Sequence, residues 1–77
     1  MMKKSQRNIL ERATKERTRT TAIHPKEDDD AIFLHGQGYG VYDRERPTPQ
    51  FELFLRVRNA LVKKGLEHAK LVTQGFR

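Results

Sequence analysis

A chain of 77 residues without a single cysteine has to hold itself together with one small hydrophobic core. Neither a disulfide framework nor a Cys-ligated zinc is open to it. A domain near this size buries only about 60% of the surface its unfolded chain exposes. Every apolar segment must therefore be packed or partnered. Hydrophobic residues make up 35% of the chain and charged residues 34%, too polar for a large core but not so poor as to demand disorder. No apolar stretch approaches the roughly 18 residues of a membrane span, and no signal-peptide core follows Lys3 and Lys4. These features point to a single soluble, cytoplasmic domain with no membrane partner.

The best-marked element lies near the C-terminus. Thr48 suits an N-cap, Pro49 the first helical position and Gly65 the C-terminal cap, with Lys63 and Lys64 well placed in the last turn. The pattern predicts a helix over 49–64. On a helical wheel Glu52, Arg56, Asn59 and Lys63 share a narrow polar face. The apolar arc covers roughly 220°, far more than the ≳100° stripe needed to sit on one sheet. Either the N-terminal segment folds back over one flank or a second chain covers it, as a homodimer or a bound partner. Phe54, Leu55, Val57, Arg58 and Leu61 are the candidate protein interface. Arg58 projects inside the apolar arc. Its stem could pack while its guanidinium reaches solvent or Asp43, or it could recognise a carboxylate or phosphate beside a hydrophobic groove.

Upstream of this helix, Ala31–Leu34 is the longest apolar run, followed by Gly36, Gly38 and Gly40 and then by Val41-Tyr42. The arrangement predicts a β-hairpin. His24-Pro25 marks a break, and Glu27–Asp30 is expected as a solvated loop. Thr18–Ile23 is β-prone and could add an edge strand. Residues 68–73 are expected as a returning strand, with a second helix at 66–74 as the alternative. The fold class expected is α+β: a small single domain over 23–77, built from a β-hairpin, one amphipathic helix and a possible third strand. Residues 1–22 form a basic N-terminal arm, either flexible or a frayed helix. Ser5 could cap that helix, whose only apolar residues in 5–19 are Ile9, Leu10 and Ala13.

The net charge of +6 is unevenly spread. Residues 1–22 carry seven cations against two acids, residues 23–30 one cation against four acids, and residues 49–77 six cations against two acids. Cationic ends around an acidic knot suggest an anionic partner. Lys3, Lys4, Arg7, Arg12, Lys15, Arg17 and Arg19 are the candidate nucleic-acid-binding residues, extended by Lys63, Lys64 and Lys70. Their spacing is like that of arginine-rich segments that become helical on RNA. Tyr39 and Tyr42 could stack bases if exposed, although tyrosines in a hairpin more often pack or pair across the strands.

Catalytic chemistry finds little support. Gly36, Gly38 and Gly40 do not make G-x-G-x-x-G, because Val41 and Asp43 stand where the third glycine belongs. His24, His35 and His68 show no metal-ligand spacing. Ser5 is the only serine. No enzyme activity, cofactor, metal or small-molecule substrate is expected. The reading is a small non-enzymatic protein that engages nucleic acid, DNA or RNA, or a nucleoprotein complex. The alternative is a regulator or inhibitor, of the kind found among phage or mobile-element accessory proteins, docking through helix 49–64.

Overall fold

The computed structural model describes residues 2–74. Helix α1 (Lys4–Lys15) leads into strand β1 (Thr20–Ala22), a 3₁₀ turn (Pro25–Glu27) and helix α2 (Asp28–Gly36). Strands β2 (Gly40–Asp43) and β3 (Gln50–Leu53) follow, and helices α3 (Leu55–Lys63) and α4 (Leu66–Gln74) complete the described residues. The sheet is antiparallel throughout, in the order β1-β3-β2, with Phe51 facing Thr21 on one side and Tyr42 on the other. This is a small α+β domain of four α-helices and a three-stranded sheet.

The central strand explains the layout. Gln50-Phe51-Glu52-Leu53 alternates polar and apolar residues, so a pleated strand sends Phe51 and Leu53 to one face and Glu52 to solvent. Both apolar side chains are fully buried. They join Ile9, Leu10 and Ala13 of α1, Ala31 and Leu34 of α2, Val57 and Ala60 of α3, and Ala69 of α4 in one core. On the other side of the sheet, β1 lies at an edge as its threonines suggest. β2 approaches β3 so closely that a Cβ at Gly40 would stand 2.1 Å from the Glu52 carbonyl oxygen.

Glycine also ends both inner helices. After α2, Gly38 takes a φ of 90°; its N–H donates to the His35 carbonyl at 3.1 Å and that of Tyr39 to the Leu34 carbonyl at 3.1 Å. That pair of bonds, with Tyr39 and Leu34 both buried, is a Schellman cap with its hydrophobic contact. Gly65, at φ 99°, turns the chain from α3 into α4.

Four expectations are corrected. Ala31–Leu34 is helical, because a four-residue apolar run fits either period and the acids ahead of it favour a helix start. Asp28, Asp29 and Asp30 are that first turn and not a loop, and Pro25 opens the 3₁₀ turn before it. The helix expected over 49–64 begins only at Leu55, with Phe54 as its N-cap residue; Thr48 and Pro49 precede a strand. Residues 66–74 form a helix, the alternative, and not a strand.

The N-terminal segment is built into the domain. Burying Ile9 and Leu10 contributes about 1.5–3 kcal/mol each, and the line drawn at residue 22 crosses continuous packing. The Cα radius of gyration is 11.3 Å. A compact domain of this length has about 11.5 Å, which leaves no room for a projecting arm. The Gln6 side chain, itself buried, accepts the Lys3 backbone N–H at 2.9 Å and so closes the start of α1, whose N-cap is Lys3, two residues before Ser5. Here the broad apolar arc finds part of its cover: the helix is shorter than expected and α1 and α4 pack against it, while Leu55 and Val62 stay exposed. No helix among the described residues is long and apolar enough to cross a membrane.

Candidate functional site

The cations fall into two groups, those spent on the fold and those left free. Arg12 forks onto Glu27, Nη1 to Oε2 at 2.6 Å and Nη2 to Oε1 at 3.0 Å, while its Nε donates to Thr21 Oγ1 at 3.1 Å. This clamp ties α1 to β1 and the 3₁₀ turn. The Arg12 hydrogen bonds hold the Glu27 carboxyl below the usual glutamate range, against the opposing effect of burial. Arg19 adopts a left-handed φ of 63°, and its guanidinium donates to the Leu53 carbonyl at 3.1 Å and Glu52 at 3.3 Å. Arg44 pairs with Asp28, Arg46 with Asp43 and Lys70 with Glu67. Arg58 donates through Nε to the Thr14 carbonyl at 3.2 Å, a cation at the C-terminal end of α1. Its stem packs and its head finds backbone, neither the acid nor the exposed recognition role foreseen.

Lys3, Lys4, Arg7, Lys15, Arg17, Lys63 and Lys64 are exposed, and none has an ion pair among the described residues. Of the ten residues expected to bind nucleic acid, Arg12, Arg19 and Lys70 are thus held by acids of the same chain. The sequence carries no mark that separates these from the free ones, since each acid partner but Glu67 lies at least 15 residues away.

A groove of about 360 Å³ runs between α1 and the α3–α4 corner. Leu10, Leu61 and Leu66 line its apolar part, and Arg7, Glu11 and Lys15 its α1 wall. Lys63 and Lys64 lie between Leu61 and Leu66 in the sequence, at the α3–α4 corner, while the cations that line the groove itself are Arg7 and Lys15 of α1. Helical spacing puts Lys4, Asn8, Glu11 and Lys15 on the face of α1 opposite Ile9 and Ala13.

A second cleft, of about 230 Å³, opens beside the start of α1. Met2, Phe33, Gln37, Tyr39, Lys70 and Gln74 line it. The Tyr39 ring is in the core, 3% exposed. Its hydroxyl has no hydrogen-bond partner among the described residues, yet no fully buried side-chain N or O lacks one, so the hydroxyl keeps contact with the open cleft. Burial, with a smaller contribution from the Glu67 charge, raises the Tyr39 pKa and keeps it a proton donor. Tyr42 is occupied elsewhere. Its hydroxyl donates to Asp28 at 2.7 Å, and burial together with that bond pushes it up to about 12. Sequence reasoning paired the two tyrosines; the structure gives them separate roles.

Of the expected protein interface, Val57 is fully buried and Arg58 is turned onto α1. Phe54 and Leu61 pack partly against the core, the former under the Arg56 guanidinium at 5.0 Å. Leu55 remains 54% exposed, with Val62 two turns on at 62%. His35 Nδ1 lies 3.1 Å from the Gly40 carbonyl oxygen, and among the described residues no group of three potential ligands is placed to hold a metal ion.

Comparisons with protein-family models, with curated proteins and with solved structures return no match, and the function rests on the geometry above.

Proposed function

We propose that this is a non-enzymatic, cytoplasmic nucleic-acid-binding protein. It holds a phosphate backbone against α1 and the α3–α4 corner through Lys3, Lys4, Arg7, Lys15, Lys63 and Lys64. The observation that carries the reading is the segregation of its charge. Among the described residues five ion pairs absorb Arg12, Arg19, Arg44, Arg46 and Lys70, whereas Arg7 and Lys15 line the groove unpaired and Lys3, Lys4, Lys63 and Lys64 stand exposed and unpaired at the start of α1 and at the α3–α4 corner. Cations with no acid partner are those that can exchange condensed counterions for protein charge on a polyanion.

Binding of a labelled 20-nucleotide oligomer, followed by anisotropy across salt concentrations, tests this. Neutralising about five phosphates gives a log–log salt slope of about −4.5 on duplex and about −3.5 on a single strand. The double variant Arg7→Glu/Lys15→Glu should lower affinity at least tenfold at about 100 mM salt and flatten the slope by about two units. Absence of any shift at about 50 mM salt, where electrostatic binding is strong, rejects the proposal.

Protein docking on α3 is the second reading, favoured by the exposure of Leu55 and Val62. Leu55→Asp should leave nucleic-acid affinity within about twofold if the first reading is right, since the residue lies outside the cationic set. A drop matching that of Arg7→Glu/Lys15→Glu would move the binding surface to α3.

A further inference from the structure

The cleft beside the start of α1 is built differently from the groove, and the difference bears on what kind of nucleic acid the protein takes. The groove offers an apolar floor and charges. The cleft offers an aromatic ring at its rim, Phe33, 38% exposed on α2. It also offers hydrogen-bonding groups that the fold leaves unused. Neither Gln37 nor Gln74, both exposed, has a side-chain partner among the described residues, and the Tyr39 hydroxyl lacks one although its ring is buried. Because that hydroxyl stays in contact with the open cleft while its ring is fixed in the core, it is held in position to donate to an acceptor entering there.

These groups suit a planar ring with polar edges. An aromatic face stacks on it, carboxamides donate and accept along its edge, and a hydroxyl donates from the floor. At about 230 Å³ the space is smaller than the roughly 300–1,000 Å³ of pockets that enclose whole drug-sized ligands. It takes a ring, not a dinucleotide cofactor. Met2 lines the cleft immediately before the free cations Lys3 and Lys4, while Lys70, paired with Glu67, lines it from α4. Phosphates flanking a ring held there would meet cations.

We infer that the cleft formed by Phe33, Gln37, Tyr39 and Gln74 holds one unstacked base of a single-stranded nucleic acid whose backbone follows the lysines of α1. This rests on the nucleic-acid reading and sharpens it. A duplex keeps its bases stacked and presents no free ring, so single strands are preferred.

The test compares a fluorescein-labelled single-stranded 12-mer of mixed sequence with its duplex at equal ionic strength, using wild type, Tyr39→Phe, Phe33→Ala and Gln37→Ala. Tyr39→Phe keeps the packed ring and should leave the urea midpoint unchanged, because the lost hydroxyl bonds to no other residue. It should weaken the single strand about two- to tenfold. Phe33→Ala, at a half-exposed position, should weaken it by roughly five- to 150-fold, the range for losing one base–aromatic stack. Duplex affinity and both salt slopes should stay at wild-type values. Gln37 is exposed, so Gln37→Ala supplies a readout even if Phe33→Ala fails to fold. If the single strand and the duplex bind equally, or the three variants leave single-strand affinity untouched, the cleft is not a base site while the backbone reading stands. A mononucleotide binding as tightly as the 12-mer overturns the assignment to a strand. Failure of both oligomers to bind at about 50 mM salt overturns the base site together with the reading on which it rests.

Discussion

Two glycines four residues apart have opposite requirements. A methyl at Gly40 would meet the Glu52 carbonyl oxygen at 2.1 Å and its carbonyl carbon at 2.9 Å, inside the β2–β3 ladder where backbone cannot yield. Gly36 has nothing within 4 Å and sits at the end of α2. Gly40→Ala should therefore destabilise by about 3 kcal/mol or more, while Gly36→Ala should stabilise by a few tenths to about 1 kcal/mol. Urea midpoints of the two variants check both signs. A second residue-scale effect concerns acid. Glu27 titrates lower when folded than when unfolded, chiefly because Arg12 hydrogen-bonds its carboxylate. A depressed folded pKa contributes stability that is fully present above the unfolded value of about 4.3 and is lost as pH falls through the folded value. Glu27→Gln should cost about 1 kcal/mol at neutral pH, a modest figure because the Arg12 side chain is 41% exposed. It should also flatten the part of the acid-unfolding curve just below pH 4.3. An unchanged acid limb would assign the clamp no share in folding.

Elements are legible in the sequence where one cue dominates and ambiguous where two compete. Thr20–Ala22 and the turn at Gly65 follow from β-branched residues and from a glycine at a left-handed φ. Gln50–Leu53 carried a clear period of two, but Thr48-Pro49 ahead of it imitates a helix start, and tertiary pairing with β1 and β2 decided for strand. Ala31–Leu34 shows no period at all, so only its neighbours could tell: Pro25 before it, three aspartates at its start and Gly38 after it all belong to a helix. Helix α1 is anchored by the placement of its few apolar residues and not by their number. Ile9, Leu10 and Ala13, with Gln6, fall on one stripe and are all buried. If that stripe closes the core, Ile9→Ala should cost about 2–5 kcal/mol and lower the helix signal of the entire domain in a single transition. Loss confined to a dozen residues' worth of helicity in circular dichroism would restore the separate arm. At the candidate site, the cations were visible in the sequence but their division was not. Arg12 finds Glu27, and Arg19 finds Glu52, only after the sheet and α1 have packed. The second cleft was invisible because Phe33, Tyr39 and Gln74 are contributed by α2, its cap and α4.

For the molecule as a whole, charge placed for binding works against charge placed for stability. Helix α1 opens on Lys3 and Lys4 and has no acid in its first turn, so two cations sit where the helix dipole is already positive. Helix α2 shows the opposite choice, with three aspartates at the favourable end. A protein selected for stability alone would treat both helices alike. The contrast makes Lys4→Glu informative, since Lys4 is exposed and makes no ion pair among the described residues. The substitution should raise stability by about 0.3–1 kcal/mol, because a negative charge replaces a positive one beside the free N–H groups of the first turn. It should also weaken oligonucleotide binding several-fold and reduce the salt slope by about one unit, as one phosphate contact is lost. Urea denaturation at low ionic strength measures the first effect and an anisotropy titration the second. Greater stability with undiminished binding would mean that the phosphate path avoids the start of α1. Lower stability would mean that Lys4 is held in place by the fold and not by the ligand. The combination of a firmer fold and a weaker complex is expected only if the unfavourable end of α1 is kept for the sake of an anionic partner.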